Sequence, residues 1–305
     1  MDRSIPAASG EDEALKLPVA DLRRALQSVR PSRLAAALEA AVLASPRPSA
    51  ALAGLLFVRW AEGACGGRLP RAERAALESI QAHLLAWSVL RDRIADGGAG
   101  DERGEAAPLF ATVRQRLQGL FPPRSRFWKS FRLIEREQSA ADRWEQTGAG
   151  RVRFDASLIR RLGRKSALGR WPAAAIAELL GRRRMTHRVD RDFDDLLAAL
   201  QLFDDVADAE EDARSGQINA VLAAAPGLDL HARIVRGIPP VCAAARARLR
   251  RLASRAGGMG RFARRLLEES VGAERRAIEA AGARGLASFL QRALEGLGPV
   301  SAARH

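Results

Sequence analysis

Three observations predict an all-α fold. Apolar residues recur at helical spacing in nearly every segment, and Ala, Leu, Arg and Glu fill the positions between them. No stretch alternates apolar and polar residues as a half-buried strand would. With 305 residues and 47% apolar content, the chain can bury a sizeable core. The expectation is a loose polar tail over 1–12 and one helical-bundle domain over 13–300, with about ten or more helices around an apolar centre.

In chain order, helical patterns run over 13–29, 31–45 and 48–63. A long one covers 71–96 and meets Gly97-Gly98, a natural stop. After the polar loop Gly97–Pro108, helices are expected over 109–120, over 125–146 behind Pro122-Pro123, and over 155–169 and 172–185. A second long helix is expected over 188–213, halted at Ser215-Gly216. The remaining patterns fall at 229–235, 239–257, 260–282 and 284–296.

Composition excludes several classes. A 28% charged fraction and two distant cysteines, Cys65 and Cys242, argue against collagen-like, disulfide-stapled and wholly disordered chains. The polar N-terminus shows no signal peptide, and runs such as Pro48–Val58 and Ser215–Leu228 are too short or interrupted to span a bilayer. The expected setting is the cytoplasm, with no stable membrane insertion. The net charge of +14 suggests a nucleic-acid partner, but three of the 50 cations are lysine (Lys16, Lys129, Lys165) and the other 47 are arginines dispersed through helical segments. That pattern fits an arginine-biased composition better than a binding patch. No nucleic acid is therefore expected, and a basic helical nucleic-acid binder is the rival class.

The most informative stretch is LLAALQLFDDVADAEEDARSG, residues 196–216. Asp204, Asp208 and Asp212 are spaced by four, so each turns only about 40° from the last and all share one helix face. Like charges at this spacing repel, and a helix C-terminal end disfavours anions. A divalent cation would reverse that penalty, and ligands that are all oxygen suit Mg²⁺. A second acidic end, Asp92 and Asp96, closes LESIQAHLLAWSVLRDRIADGG, with Leu85 and Val89 on nearly the same face. Carboxylates at the ends of two long apolar helices suit a molecule with a hydrocarbon tail and a metal-bound phosphate head.

This arrangement resembles the class I isoprenoid synthase superfamily: trans-prenyl diphosphate synthases, squalene/phytoene synthases and class I terpene cyclases. Gln201-Leu-Phe-Asp204-Asp205-Val-Ala-Asp208 is similar to the family's Q-x-x-D-D-x-x-D motif, and Asp92-Arg93-Ile-Ala-Asp96 to its D-D-x-x-D motif. Arg164-Lys165-Ser166-Ala167-Leu168 is similar to the K-T-A-x-L segment that binds diphosphate. The resemblance covers roughly residues 80–217. It implies a helical bundle with a central cavity and Mg²⁺, as three ions, on Asp92, Asp96, Asp204, Asp205, Asp208 and Asp212. It further implies that Lys165, Gln201, Arg103 and Arg214 grip diphosphate and that Leu85, Val89, Leu197 and Phe131 line the cavity. The expected partner is an isoprenyl diphosphate, and homodimer formation is left open.

The departures narrow the chemistry. Arg93 replaces one carboxylate of the first motif, Gln217 stands where elongating enzymes carry lysine, and no G-G-K-R-x-R-P is present to hold isopentenyl diphosphate. The resemblance thus favours a terpene synthase or cyclase, with a coupling or elongating prenyltransferase as alternative and a family member that has lost its chemistry as a third reading. The aromatic stretch with Phe127, Trp128, Phe131 and Trp144 serves core packing before cation stabilisation. The four histidines show no catalytic or metal spacing, and no P-loop, G-x-S-x-G or dinucleotide fingerprint appears.

Overall fold

A computed structural model describes residues 54–95, 104–147 and 152–296, together with Arg23, Ala36 and Glu39. The described residues form eleven α-helices and no strand, so the fold class is all-α. The patterns at 13–29 and 31–45 and the tail lie almost wholly outside the described residues. Contacts gather the chain into two compact units, one of residues 1–134 and 168–191 and the other of 135–167 and 192–305.

In the first unit a 3-10 turn leads into α1 (Phe57–Ala64), followed by α2 (Arg71–Ala95), α3 (Ala106–Leu120), the start of α4 (Phe127–Thr147) and α6 (Trp171–Leu179). Its core is Val58 and Ala61 of α1, Leu77, Ile80 and Leu90 of α2, Val113 and Leu117 of α3, and Trp171 and Ile176 of α6. The rings of Phe121, Phe127 and Phe131 stack in turn, with centroids 4.0 and 5.4 Å apart. Phe131 is a core residue of this stack, 1% exposed. Two buried polar pairs stand in this core: the Trp171 indole N–H donates to Gln81 Oε1 at 2.6 Å, and His83 Nδ1 bonds the Ser79 carbonyl at 2.7 Å.

The second unit holds the rest of α4, α5 (Ala156–Arg164), most of α7 (Thr186–Ala207), α8 (Ala209–Ser215), α9 (Ala220–Ala224), α10 (Leu230–Ala253) and α11 (Gly258–Gly296). Ile234, Ile238, Val241, Ala245, Leu249 and Leu252 form one buried stripe along α10. That stripe corrects the expected break between 235 and 239, since the helix runs on through Pro239 and Pro240. The prolines remove backbone donors, yet helical spacing of buried side chains continues on both sides of them, and packing against α9 and α11 holds the helix continuous. The patterns at 260–282 and 284–296 likewise join as α11, across Gly282, where a glycine costs only about 1 kcal/mol. Alpha9 was not anticipated; Asn219 caps it, its side chain accepting from the Val221 and Leu222 amides.

Among the described residues no helix is long and apolar enough to cross a membrane. The Gln81–Trp171 bond yields a test. Gln81→Leu should leave the buried indole N–H unpaired and lower stability by about 1–3 kcal/mol, read from urea unfolding.

Candidate functional site in the second unit

The site is built from the end of α7 outward. The expected helix over 188–213 is two helices, broken at Asp208. The break is slight, since the Asp208 amide still donates to the Asp204 carbonyl and the Asp212 amide to the Asp208 carbonyl, both at 2.9 Å. The four-residue linkage of the three acids therefore survives it. Asp204 is exposed, and Asp208 and Asp212 are half-buried. The stop falls at Gly216, as the sequence suggests: its φ of 72° is the left-handed conformation that ends helices, and its amide bonds the Asp212 carbonyl.

Asp205 points the other way. One helical step of about 100° carries it off the shared face, and it is 3% exposed. Both its oxygens are engaged: Oδ2 accepts from the Ala220 amide at 2.7 Å and Oδ1 from Gln201 Nε2 at 3.1 Å. Its position is that of a staple between α7 and the start of α9. Burial pushes its carboxyl up to about 7, against the opposing pull of the Ala220 amide, Lys165 and Gln201.

Asn219 completes the tie. Its Nδ2 donates both to the Asp205 carbonyl and to Asp212 Oδ2, each at 2.7 Å, while its Oδ1 caps α9. Burial raises the Asp212 carboxyl above the ordinary carboxylate range, with Asn219 and Lys165 opposing. Sequence reasoning missed this residue. The available signal was an Asn directly before the apolar run Ala-Val-Leu-Ala-Ala, an N-cap pattern.

Lys165 reaches the same place from α5. Asp155 starts that helix by accepting from the Ser157 and Leu158 amides at 2.7 and 2.8 Å. Leu158, Ile159 and Leu162 bury its inner face. Gly163 lets it come close to α7: a Cβ there would lie 3.0 Å from the Ala198 Cβ. Two residues later Lys165 ends the helix, and its ammonium donates to Glu145 Oε1 of α4 at 2.5 Å. The Lys165 charge is also felt by Asp205 and Asp212, and that of Glu145 by Asp212.

The remaining residues expected at the site are dispersed. Arg214 is exposed on α8 and pairs with Glu210 at 3.2 Å. Asp208 and Arg214 line a cleft of 460 Å³ together with Val206, Ile234, Ile238 and Arg276. Leu85, Val89, Leu197 and Phe131 do not line that cleft. Leu197 is buried core at 4% exposure, and Leu85 and Val89 are half-buried on α2. Asp92 lies in the last turn of α2, in the first unit; its side chain, the Arg93 side chain, Asp96 and Arg103 lie outside the described residues.

No family model, no curated protein and no solved structure matches the chain. The site is therefore judged on its own chemistry. Asp204, Asp208 and Asp212 are oxygen donors of the kind Mg²⁺ takes, and the Asn219 bond occupies one oxygen of Asp212. Among the described residues, however, no three such side chains are grouped closely enough to hold a metal ion, and neither Asp204, Asp212 nor Lys165 lines the cleft beside Asp208. Asp205, with both oxygens bonded, fits as the residue that anchors this set.

The buried carboxyl of Asp205 makes a pH prediction for the metal-free protein. Its folded pKa is raised from the ordinary aspartate value of 3.8 to about 7, so between those values the folded state holds a proton that the unfolded state has lost. Stability from this group falls as pH rises through that window and is level above it. In EDTA, Asp205→Asn should remove this component, so that the stability difference between variant and wild type shifts in the variant's favour from pH 4 to 7. Denaturant unfolding across that range measures it.

Proposed function

We propose that the protein is an Mg²⁺-dependent class I terpene synthase or cyclase that ionises an isoprenyl diphosphate and releases diphosphate. The observation that carries the reading is the position of the Lys165 ammonium, within electrostatic reach of Asp205 and Asp212 at the acid-rich end of α7. An ammonium beside a divalent-cation donor set is the combination that grips a diphosphate. The resemblance of the same residues to the family's motifs adds to it.

In this reading Asp204, Asp208 and Asp212 would hold Mg²⁺. Bound Mg²⁺ neutralises the diphosphate and makes it a better leaving group. Lys165 contributes a fixed positive charge to the departing phosphate oxygens. Gln201 and Asn219 orient the carboxylates, the first through Asp205 and the second through Asp212. Apolar side chains near the acidic ends receive the hydrocarbon. The alternative within the same chemistry is a prenyltransferase that couples or extends prenyl chains. We place the protein in the cytoplasm on the same terms, with Cys65 and Cys242 both buried and in no disulfide.

Incubation with a panel of short to long prenyl diphosphates plus Mg²⁺ tests the reading, by diphosphate release and analysis of extracted hydrocarbons. No release from any substrate would refute it. Asp204→Ala should abolish release while leaving helical content and melting temperature unchanged or slightly higher, because it removes a carboxylate from a run of like charges at a helix end. Lys165→Ala should reduce release more mildly. A melting curve of each variant with and without Mg²⁺ and pyrophosphate separates lost ligands from lost fold.

A further inference from the structure

Lys165 already has an anionic partner. Its ammonium is bonded to Glu145 Oε1, and the two side chains are only 19% and 20% exposed. An ammonium so enclosed needs an anion beside it, since removing one partner of a buried pair leaves an uncompensated charge. The ammonium has three N–H donors, of which Glu145 Oε1 takes one, so a phosphate oxygen brought to Lys165, as the reading above requires, competes with the Glu145 carboxylate for the same charge.

Local preference does not explain a carboxylate at this position. Glu145 lies in the last turn of α4, where the helix dipole disfavours an anion. It also lies near Asp212, whose negative charge opposes it. The pair is also not alone in joining α5 to α4: Arg164 approaches Glu137 at 3.9 Å, and the Arg161 guanidinium sits 5.2 Å from the centre of the Trp144 ring.

We propose that Glu145 is an internal stand-in for a substrate phosphate oxygen: it holds Lys165 while the site is empty and is displaced from it when a diphosphate binds. The inference rests on the reading that this site binds diphosphate. It adds a residue outside the acid-rich motif that sets affinity by competing for the same cation. Glu145 thereby keeps Lys165 from collapsing onto Asp212 between turnovers, and weakens the grip on released diphosphate.

Calorimetric titration of the full chain with inorganic pyrophosphate at saturating Mg²⁺ tests this as a double-mutant cycle. Glu145→Gln should tighten binding by at least about threefold, and Lys165→Gln should weaken it by about tenfold. The double variant should bind like Lys165→Gln, because a competitor has no effect once the cation it competes for is gone. Equal tightening by Glu145→Gln in both backgrounds would mean only a through-space charge effect and would overturn the proposal. So would unchanged or weaker binding by Glu145→Gln, and a lowered melting temperature with unchanged affinity would assign the pair to fold alone. Should Glu145→Gln fail to fold, Glu145→Asp, which shortens the reach by one methylene, should give the same direction of change. If wild type binds no pyrophosphate, the diphosphate-site reading itself fails, and that outcome is distinct from a wild type that binds with no cycle coupling.

Discussion

A carboxyl buried at the end of an acid-rich helix governs how this region is built. Asp205 cannot be left without partners, because an unsatisfied buried polar group costs a few kcal/mol and an ionised one far more. The Ala220 amide and Gln201 satisfy it, and the Ala220 bond requires the chain to double back after α8. The left-handed Gly216 makes the reversal and the Asn219 cap fixes where it lands. Asn219 then bonds the Asp205 carbonyl and the Asp212 carboxylate at once, so one amide side chain connects the buried staple to the acidic face.

The acidic face can tolerate its own repulsion because of what stands behind it. Asp204, Asp208 and Asp212 gain nothing from one another in a free helix. Here Asn219 donates to Asp212, and the Lys165 charge offsets part of the field. The other end of α7 is held differently, by the forked Arg251–Asp195 contact at 2.5 and 2.9 Å and by Arg255 on Asp192. Both arginines are more than a third exposed, and such pairs contribute at most about 1 kcal/mol. Apolar burial does the larger share: Phe193, Leu196 and Leu202 of α7 are wholly buried.

The same balance of burial over local preference explains α10. Two prolines cost hydrogen bonds within the helix, but the buried stripe from Ile234 to Leu252 keeps its spacing across them. Sequence punctuation overstated the break because a proline weakens the local ladder without changing which side chains face the core. Asp208 shows the opposite case. No proline or glycine marks it, yet α7 and α8 part there, and the register of the acids persists through the two backbone bonds that bridge the break.

The sequence by itself determined the helical class, the helix ends at Gly97 and Gly216 as candidates, and the candidate acids, because helical periodicity and four-residue spacing are properties of neighbours along one chain. It also singled out Lys165, since a lone lysine in an arginine-rich helix stands out in composition. Only the tertiary structure decided that Asp205 is buried while Asp204 is exposed, because one of the two partners of its carboxyl, the Ala220 amide, lies fifteen residues away. It alone disclosed Asn219 and Glu145, whose roles depend on contacts across a chain reversal and between two helices. Spacing along a helix cannot register such partners. They arise where Gly163 lets α5 approach α7 and where burial favours polar groups that find a counterpart.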